Sequence, residues 1–383
     1  MQQRRIEILD SFRFLAIISV ILFHYTYRWT PPLSPESLYP YGGYFGSYFR
    51  FGSVGVLFFF IISGFVISYT LENTAGLGSF IKNRFIRLFP PMLLWSTVTY
   101  LVCSTLDNKY FFPHSHEAKN LLPSLTFINP AIWSLWLKRD FVWLNGSYWS
   151  LWVEVQFYLL SAIIFFRNRK NFLRNLLLAA IVLCLCSYIP ERALRNSLVL
   201  HLPKGLTSFL SQWIFIKDLF TITHYVCLFT LGVVFQHLYK GVKIKINSIT
   251  GLSTFFIFFY QLLALENYQL RIIYLGMILL FLCMIYKRSY LFFLDNPLFR
   301  RIGVISYSVY LLHENVGILL INKYGGYLGK WSPLSMPIVI VLMIVSAEMS
   351  YRFYEVKVGR LLKKWLNKRK SPAIEAVLEK VVS

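Results

Sequence analysis

Apolar runs broken by short polar stretches recur along the whole chain. A helix that spans a bilayer needs roughly 20 mostly apolar residues, and the pattern predicts about ten such helices. They fall at 6–27, 52–71, 89–106, 148–166, 175–190, 219–238, 248–266, 271–286, 302–321 and 335–355. The expected fold is all-α, a polytopic integral membrane helical bundle over residues 1–356, followed by a cytoplasmic tail at 357–383. An even number of crossings puts both termini on one side. Two longer connections, 28–51 and 107–147, are rich in Pro, Gly, Ser and aromatic residues and are placed to cover or line a site on the opposite face. No internal repeat is visible, which weighs against a carrier built from inverted repeats.

Composition agrees with this pattern. The 383 residues are 56% hydrophobic and 15% charged, whereas a soluble domain has about a quarter of its residues charged. The net charge of +22 would suggest nucleic acid in a soluble protein. Here Lys and Arg concentrate in the loops on the side of the termini, which is the positive-inside bias of a membrane protein with cytoplasmic ends; no nucleic-acid partner is expected. In the tail, Leu361, Leu362, Trp365 and Leu366 alternate with basic residues, the mark of an amphipathic helix lying on anionic membrane lipid. Arg13 within the first span, and the lack of a small-residue cleavage pattern after it, argue for a retained helix rather than a signal peptide. The five cysteines all fall in apolar spans, and no disulfide or metal pattern is readable.

Charge inside a span is costly by a few kcal/mol or more on insertion scales, so such residues are functional candidates. In the first span, Asp10 and Arg13 lie one turn apart and His24 follows eleven residues after Arg13. That spacing puts Arg13 and His24 on one helix face, roughly 16 Å apart. Asp10 with Arg13 also fits a plain ion pair at the helix end, and His24 fits an interfacial histidine, but three ionisable groups on one face exceed what stability requires. Ser147, Ser150, Glu154 and Tyr158 form one stripe at the start of the fourth span, which fits either an interhelical hydrogen-bond seam or a site wall. Arg84 and Arg87 lie one turn apart in the loop before Pro90-Pro91; they fit a phosphate clamp or ordinary positive-inside charge. No G-x-S-x-G elbow, H-E-x-x-H, P-loop or H-x-x-x-x-D box occurs.

In order along the chain, four motifs resemble the membrane-bound acyltransferase-3 family. The first is Asp10-x-x-Arg13 with His24 after a ten-residue gap. The second runs from Gly55-Val56 through Phe59-Phe60-Ile61-Ile62-Ser63-Gly64-Phe65 to Arg84-x-x-Arg87. The third is Tyr148-Trp149-Ser150-Leu151 with Glu154 and Gln156-Phe157-Tyr158. The fourth is Ser306-Tyr307-Ser308-Val309-Tyr310-Leu311-Leu312-His313, closed by Tyr351-Arg352-Phe353-Tyr354-Glu355. Leu57 and Val356 depart from the family pattern, which often has an acidic residue and a proline there.

The resemblance implies acyl transfer from a cytosolic acyl-CoA, most often acetyl-CoA, to a hydroxyl of a cell-surface or lipid-linked carbohydrate, in a bacterial inner membrane. The donor is a substrate, and no permanently bound cofactor or metal is expected. His24 is implied as the general base or a transient acyl carrier, and Arg13, oriented by Asp10, as the group on the donor side that holds the donor or stabilises the thioester oxyanion. Arg84 and Arg87 are implied to bind the CoA phosphates, and Tyr148, Trp149, Ser150, Glu154 and His313 to line the shared cavity. The chain ends without the fused extracytoplasmic domain that some members carry, so transfer is expected to finish in the membrane domain. The main alternative is a polytopic transporter of a lipid-linked sugar or polysaccharide precursor, which would not consume acyl-CoA.

Overall fold

A computed structural model of the protein describes residues 6–29, 48–108, 110–196 and 202–368. Among these residues no strand occurs, and the chain is a bundle of helices: α1 (Ile8–Phe23), α2 (Gly55–Glu72), α3 (Leu77–Leu106), the short α4 (Leu121–Thr126) and α5 (Pro130–Leu137), α6 (Trp149–Arg167), α7 (Phe172–Arg195), α8 (Lys204–Leu219), α9 (Ile222–Tyr239), α10 (Ile249–Ala264), α11 (Tyr268–Tyr286), α12 (Pro297–Leu312), α13 (Asn315–Tyr324), α14 (Ser335–Ser350) and α15 (Val356–Lys368). Eight helical stretches among the described residues are long and apolar enough to cross a bilayer, so the protein is a multi-pass membrane protein. Two further expected spans take other forms. The one at 248–266 is the 16-residue α10, and the one at 302–321 breaks at His313–Glu314 into α12 and α13. Much of the loop expected at 28–51, and the tail beyond Lys368, lie outside the described residues.

The loop expected around Arg84 and Arg87 is helical instead. The 30-residue α3 runs through Pro90 and Pro91. Each proline lacks an N–H and crowds the carbonyl four residues before it, so the pair removes the helical donors to Ile86 and Arg87 while the turns on either side continue. A further helix, α8, occupies part of the connection between the fifth and sixth expected spans; Lys217 and Asp218 near its end interrupt the apolar run that would have marked it.

α1 packs between α2 and α12. Phe12 is fully buried between Phe58 and Phe281, at ring separations of 5.5 and 5.4 Å. Gly303 of α12 packs directly on the Asp10 backbone, where any Cβ would collide with the Asp10 carbonyl. Small residues allow this approach between membrane helices, and here it brings α12 against the charged turn of α1. Gly64 and Gly232 do the same for α2 and α9, each against the other helix's backbone. The helix α15 returns to the end of the bundle at which α1 begins, and Lys82 of α3 donates there to Asn367.

Candidate functional site at the two ends of the first helix

Near its start, α1 presents Arg13, whose Nη1 donates to Asp10 Oδ1 at 2.5 Å. Arg13 faces a cavity of about 120 Å³ enclosed by α1, α2, α3, α6 and α12. Arg87, Ser63, Ser150, Glu154, Tyr307 and Tyr310 share its wall with aliphatic and phenyl side chains. Glu154 Oε1 accepts from Ser63 Oγ at 2.6 Å and from the Tyr158 hydroxyl. The cavity therefore brings two guanidinium groups and one hydrogen-bonded carboxylate together among apolar surfaces, where charge acts through a lower dielectric than in water. A second cavity of about 180 Å³ shares Arg87, Val304 and Tyr307 with the first and reaches Tyr351 and Glu355. Glu355 is held by Ser308 at 2.6 Å and Ser350 at 2.7 Å.

At the other end of α1 the helix widens into a π-helical turn over His24–Arg28, a local irregularity that recurs at functional sites. His24 Nδ1 donates to the Val20 carbonyl at 2.9 Å and lies 3.2 Å from His313 Nε2. His24 Nε2 lies 3.5 Å from Glu314 Oε1. His313 is fully buried, and its Nδ1 donates to the Tyr310 carbonyl at 2.7 Å. This cluster exists because the chain breaks between α12 and α13. The last α12 carbonyls, left without helical donors, are capped from other elements: Tyr148 donates to Leu311 O at 3.1 Å and Tyr25 to His313 O at 2.9 Å.

Tyr310 belongs to both regions. Its hydroxyl lines the cavity, donates to Ser147 O at 2.7 Å and meets Ser150 Oγ at 2.8 Å. Its ring lies against that of His313, tilted by 34° with centroids 5.4 Å apart.

The residues singled out from the sequence are thus distributed. Arg13, Arg87, Ser150 and Glu154 reach the cavity wall, with Asp10 buried behind Arg13. His24 and His313 pair with each other away from it. Tyr148 is not on the wall, because its hydroxyl is used to cap α12. Trp149 is half-buried behind the wall, packed on Tyr225 at 5.3 Å and on Phe60 at 6.2 Å. Arg84 points the opposite way from a phosphate clamp: it is buried between the Phe80 and Tyr158 rings, 5.3 Å from each, and its Nε and Nη1 have no hydrogen-bond partner among the described residues. Ser63 and Glu314 received no site role from the sequence. A carboxylate in the middle of an expected apolar span at 302–321 was a signal for Glu314; Ser63 lies within the second motif, but no spacing marks it out from its neighbours.

No curated protein and no solved structure matches the chain. The model of the acyltransferase-3 family, described as an acyltransferase domain, matches residues 6–348. That span takes in the α1 pair, the cavity and the histidine cluster, and it decides between a carrier and a transferase in favour of the transferase. The chain belongs to the acyltransferase-3 family and is a membrane acyltransferase.

Proposed function

We propose that the protein transfers an acyl group, in the simplest case acetyl, from cytosolic acyl-CoA to a hydroxyl of a cell-surface or lipid-linked carbohydrate. The membrane is the bacterial inner membrane, with both chain ends on the cytoplasmic side. The observation that carries this proposal is the cavity at the start of α1, where Arg13 and Arg87 converge from two helices on a space of about 120 Å³. Pockets for whole drug-sized ligands run to roughly 300–1,000 Å³, so this space suits a short acyl thioester and the tip of its arm better than an entire nucleotide. Arg87 is exposed at the edge of the bundle, suited to phosphates arriving from the cytosol. Arg84 supports the wall through the Tyr158 ring.

In this chemistry Arg13 holds the donor at the cavity through charge and hydrogen bonds to its arm. The acceptor hydroxyl gives its proton to His24 Nε2 while its oxygen forms the new C–O bond. The C–S bond breaks with its electron pair going to sulfur, and the proton on His24 passes to the thiolate, so that free CoA leaves. Arg13 and His24 are roughly 16 Å apart along α1, so the donor arm extends past Tyr310 and Ser150, whose mutual hydrogen bond is the partition it displaces.

The test is incubation of the purified protein in nanodiscs with radiolabelled acetyl-CoA and crude cell-envelope glycan, beside His24→Ala. Label is expected in glycan only with the unaltered protein. Equal labelling by His24→Ala would remove His24 from the chemistry. Label entering lipid or protein in place of glycan would overturn the carbohydrate acceptor.

A further inference from the structure

His24 and Glu314 are brought together from opposite ends of the sequence, and the surroundings of each restrict what the pair can do. A carbonyl oxygen only accepts, so His24 Nδ1, at 2.9 Å from Val20 O, carries a proton. His313 Nδ1, at 2.7 Å from Tyr310 O, carries one for the same reason. The 3.2 Å approach of His24 Nδ1 to His313 Nε2 is then attractive only if His313 is neutral and accepts through Nε2. Both contacts on Nδ1 therefore fix one tautomer of His24 and leave Nε2 as its basic nitrogen. Glu314 Oε1 lies 3.5 Å from that nitrogen.

Glu314 is itself held in an unusual position. It is 4% exposed, occupies the break between α12 and α13, and its Oε2 has no hydrogen-bond partner among the described residues. Gly146, at the turn that opens α6, lies against the carboxylate: a Cβ there would stand 3.4 Å from both oxygens. The positive end of the α6 dipole favours a negative charge at this place. A buried carboxylate oxygen without a donor is costly, which makes Glu314 a candidate for function.

We propose that Glu314 is the positioning carboxylate of His24, holding the imidazolium that forms when Nε2 takes the acceptor's proton, with His313 locking the tautomer from the other side. This assignment rests on His24 acting as the base, as in the proposed function. It differs from the usual order of a carboxylate, histidine and hydroxyl, in which the carboxylate holds the nitrogen opposite the base. Here backbone and a second histidine fix the tautomer, and the carboxylate supplies counter-charge beside the reacting nitrogen.

Two measurements on the full chain in nanodiscs test it. Glu314→Gln keeps the shape and removes the charge; it is expected to lower kcat for acetyl transfer on the order of 10²-fold, the lower end of what positioned general-base catalysis contributes. KM for acetyl-CoA and the affinity for CoA should stay within about 2-fold, and Glu314→Asp should recover part of kcat. Unchanged kcat in Glu314→Gln, or a loss confined to KM, would overturn the proposal. Side-chain ¹⁵N NMR of histidine-labelled protein reads the pair without any acceptor. The His24 signals should show a proton on Nδ1 and shift in Glu314→Gln, while those of His313 stay near their place. His24 signals unmoved by Glu314→Gln would contradict the pairing. Shifted signals in a protein that transfers nothing to any glycan would instead leave the pairing standing and remove the proposed acceptor.

Discussion

The two ends of α1 carry the same kind of residue in opposite surroundings. Around Arg13 the bundle leaves a cavity, and the charged groups on its wall come from α1, α3 and α6 with room between them. Around His24 the space is filled: both ring nitrogens have named neighbours, and His313 and Glu314 are almost completely buried. An open, two-signed cavity suits holding a substrate, whereas a filled cluster with fixed proton positions suits moving a proton. On the proposed function, one apolar helix separates binding from chemistry by about three turns, and Tyr310 touches both regions.

The sharpest way to break this division is His24→Ala. It is expected to reduce acyl transfer by about 10³-fold or more, within the range of lost general-base catalysis, with CoA affinity unchanged by calorimetry. Next comes the packing that holds α12 on α1. Gly303→Ala places a Cβ against the Asp10 carbonyl, and overpacking of this kind costs about 1–3 kcal/mol. A lower unfolding temperature in detergent should appear together with reduced transfer, since Asp10 and Arg13 move with the backbone. Arg87→Ala sharpens the comparison from the cavity side: CoA affinity should fall about 10-fold, the worth of one charge-assisted contact, with a smaller effect on kcat. Arg84→Ala, by contrast, should weaken stability more than CoA affinity, because its guanidinium lies between two rings and such contacts contribute about 0.5–2 kcal/mol. The smallest effect is expected from Ser63→Ala, which removes one hydrogen bond to Glu154. A loss of about 1 kcal/mol should appear as a change of several-fold in transfer.

Much of the architecture was legible in the sequence, because a bilayer-spanning helix is recorded as a long apolar run and most of the runs became helices at nearly the expected bounds. The misses have local causes. Residues 302–321 read as one span because Leu, Val and Ile continue across His313–Glu314, although the backbone breaks there to form the cluster. Arg84 and Arg87 read as a loop because Pro90-Pro91 is a strong helix-start signal, whereas α3 passes through it. At the site, the one-turn spacing of Asp10 and Arg13 corresponds directly to a contact, and the stripe through Ser150 and Glu154 reaches the cavity. Periodicity places a residue on a face but does not say which neighbour takes its polar atom. Tyr148 shares that helical start and spends its hydroxyl on Leu311 O. The pairing of His24 with His313 and Glu314 spans nearly 290 residues of sequence and leaves no periodic trace.

The most direct test of the division along α1 is acetyl-CoA binding by His24→Ala in nanodiscs, measured beside transfer by the same preparation. Binding within about 2-fold of the unaltered protein, with transfer lost, is the predicted result. Loss of binding together with transfer would place the donor at His24 and contradict the separation of the two ends.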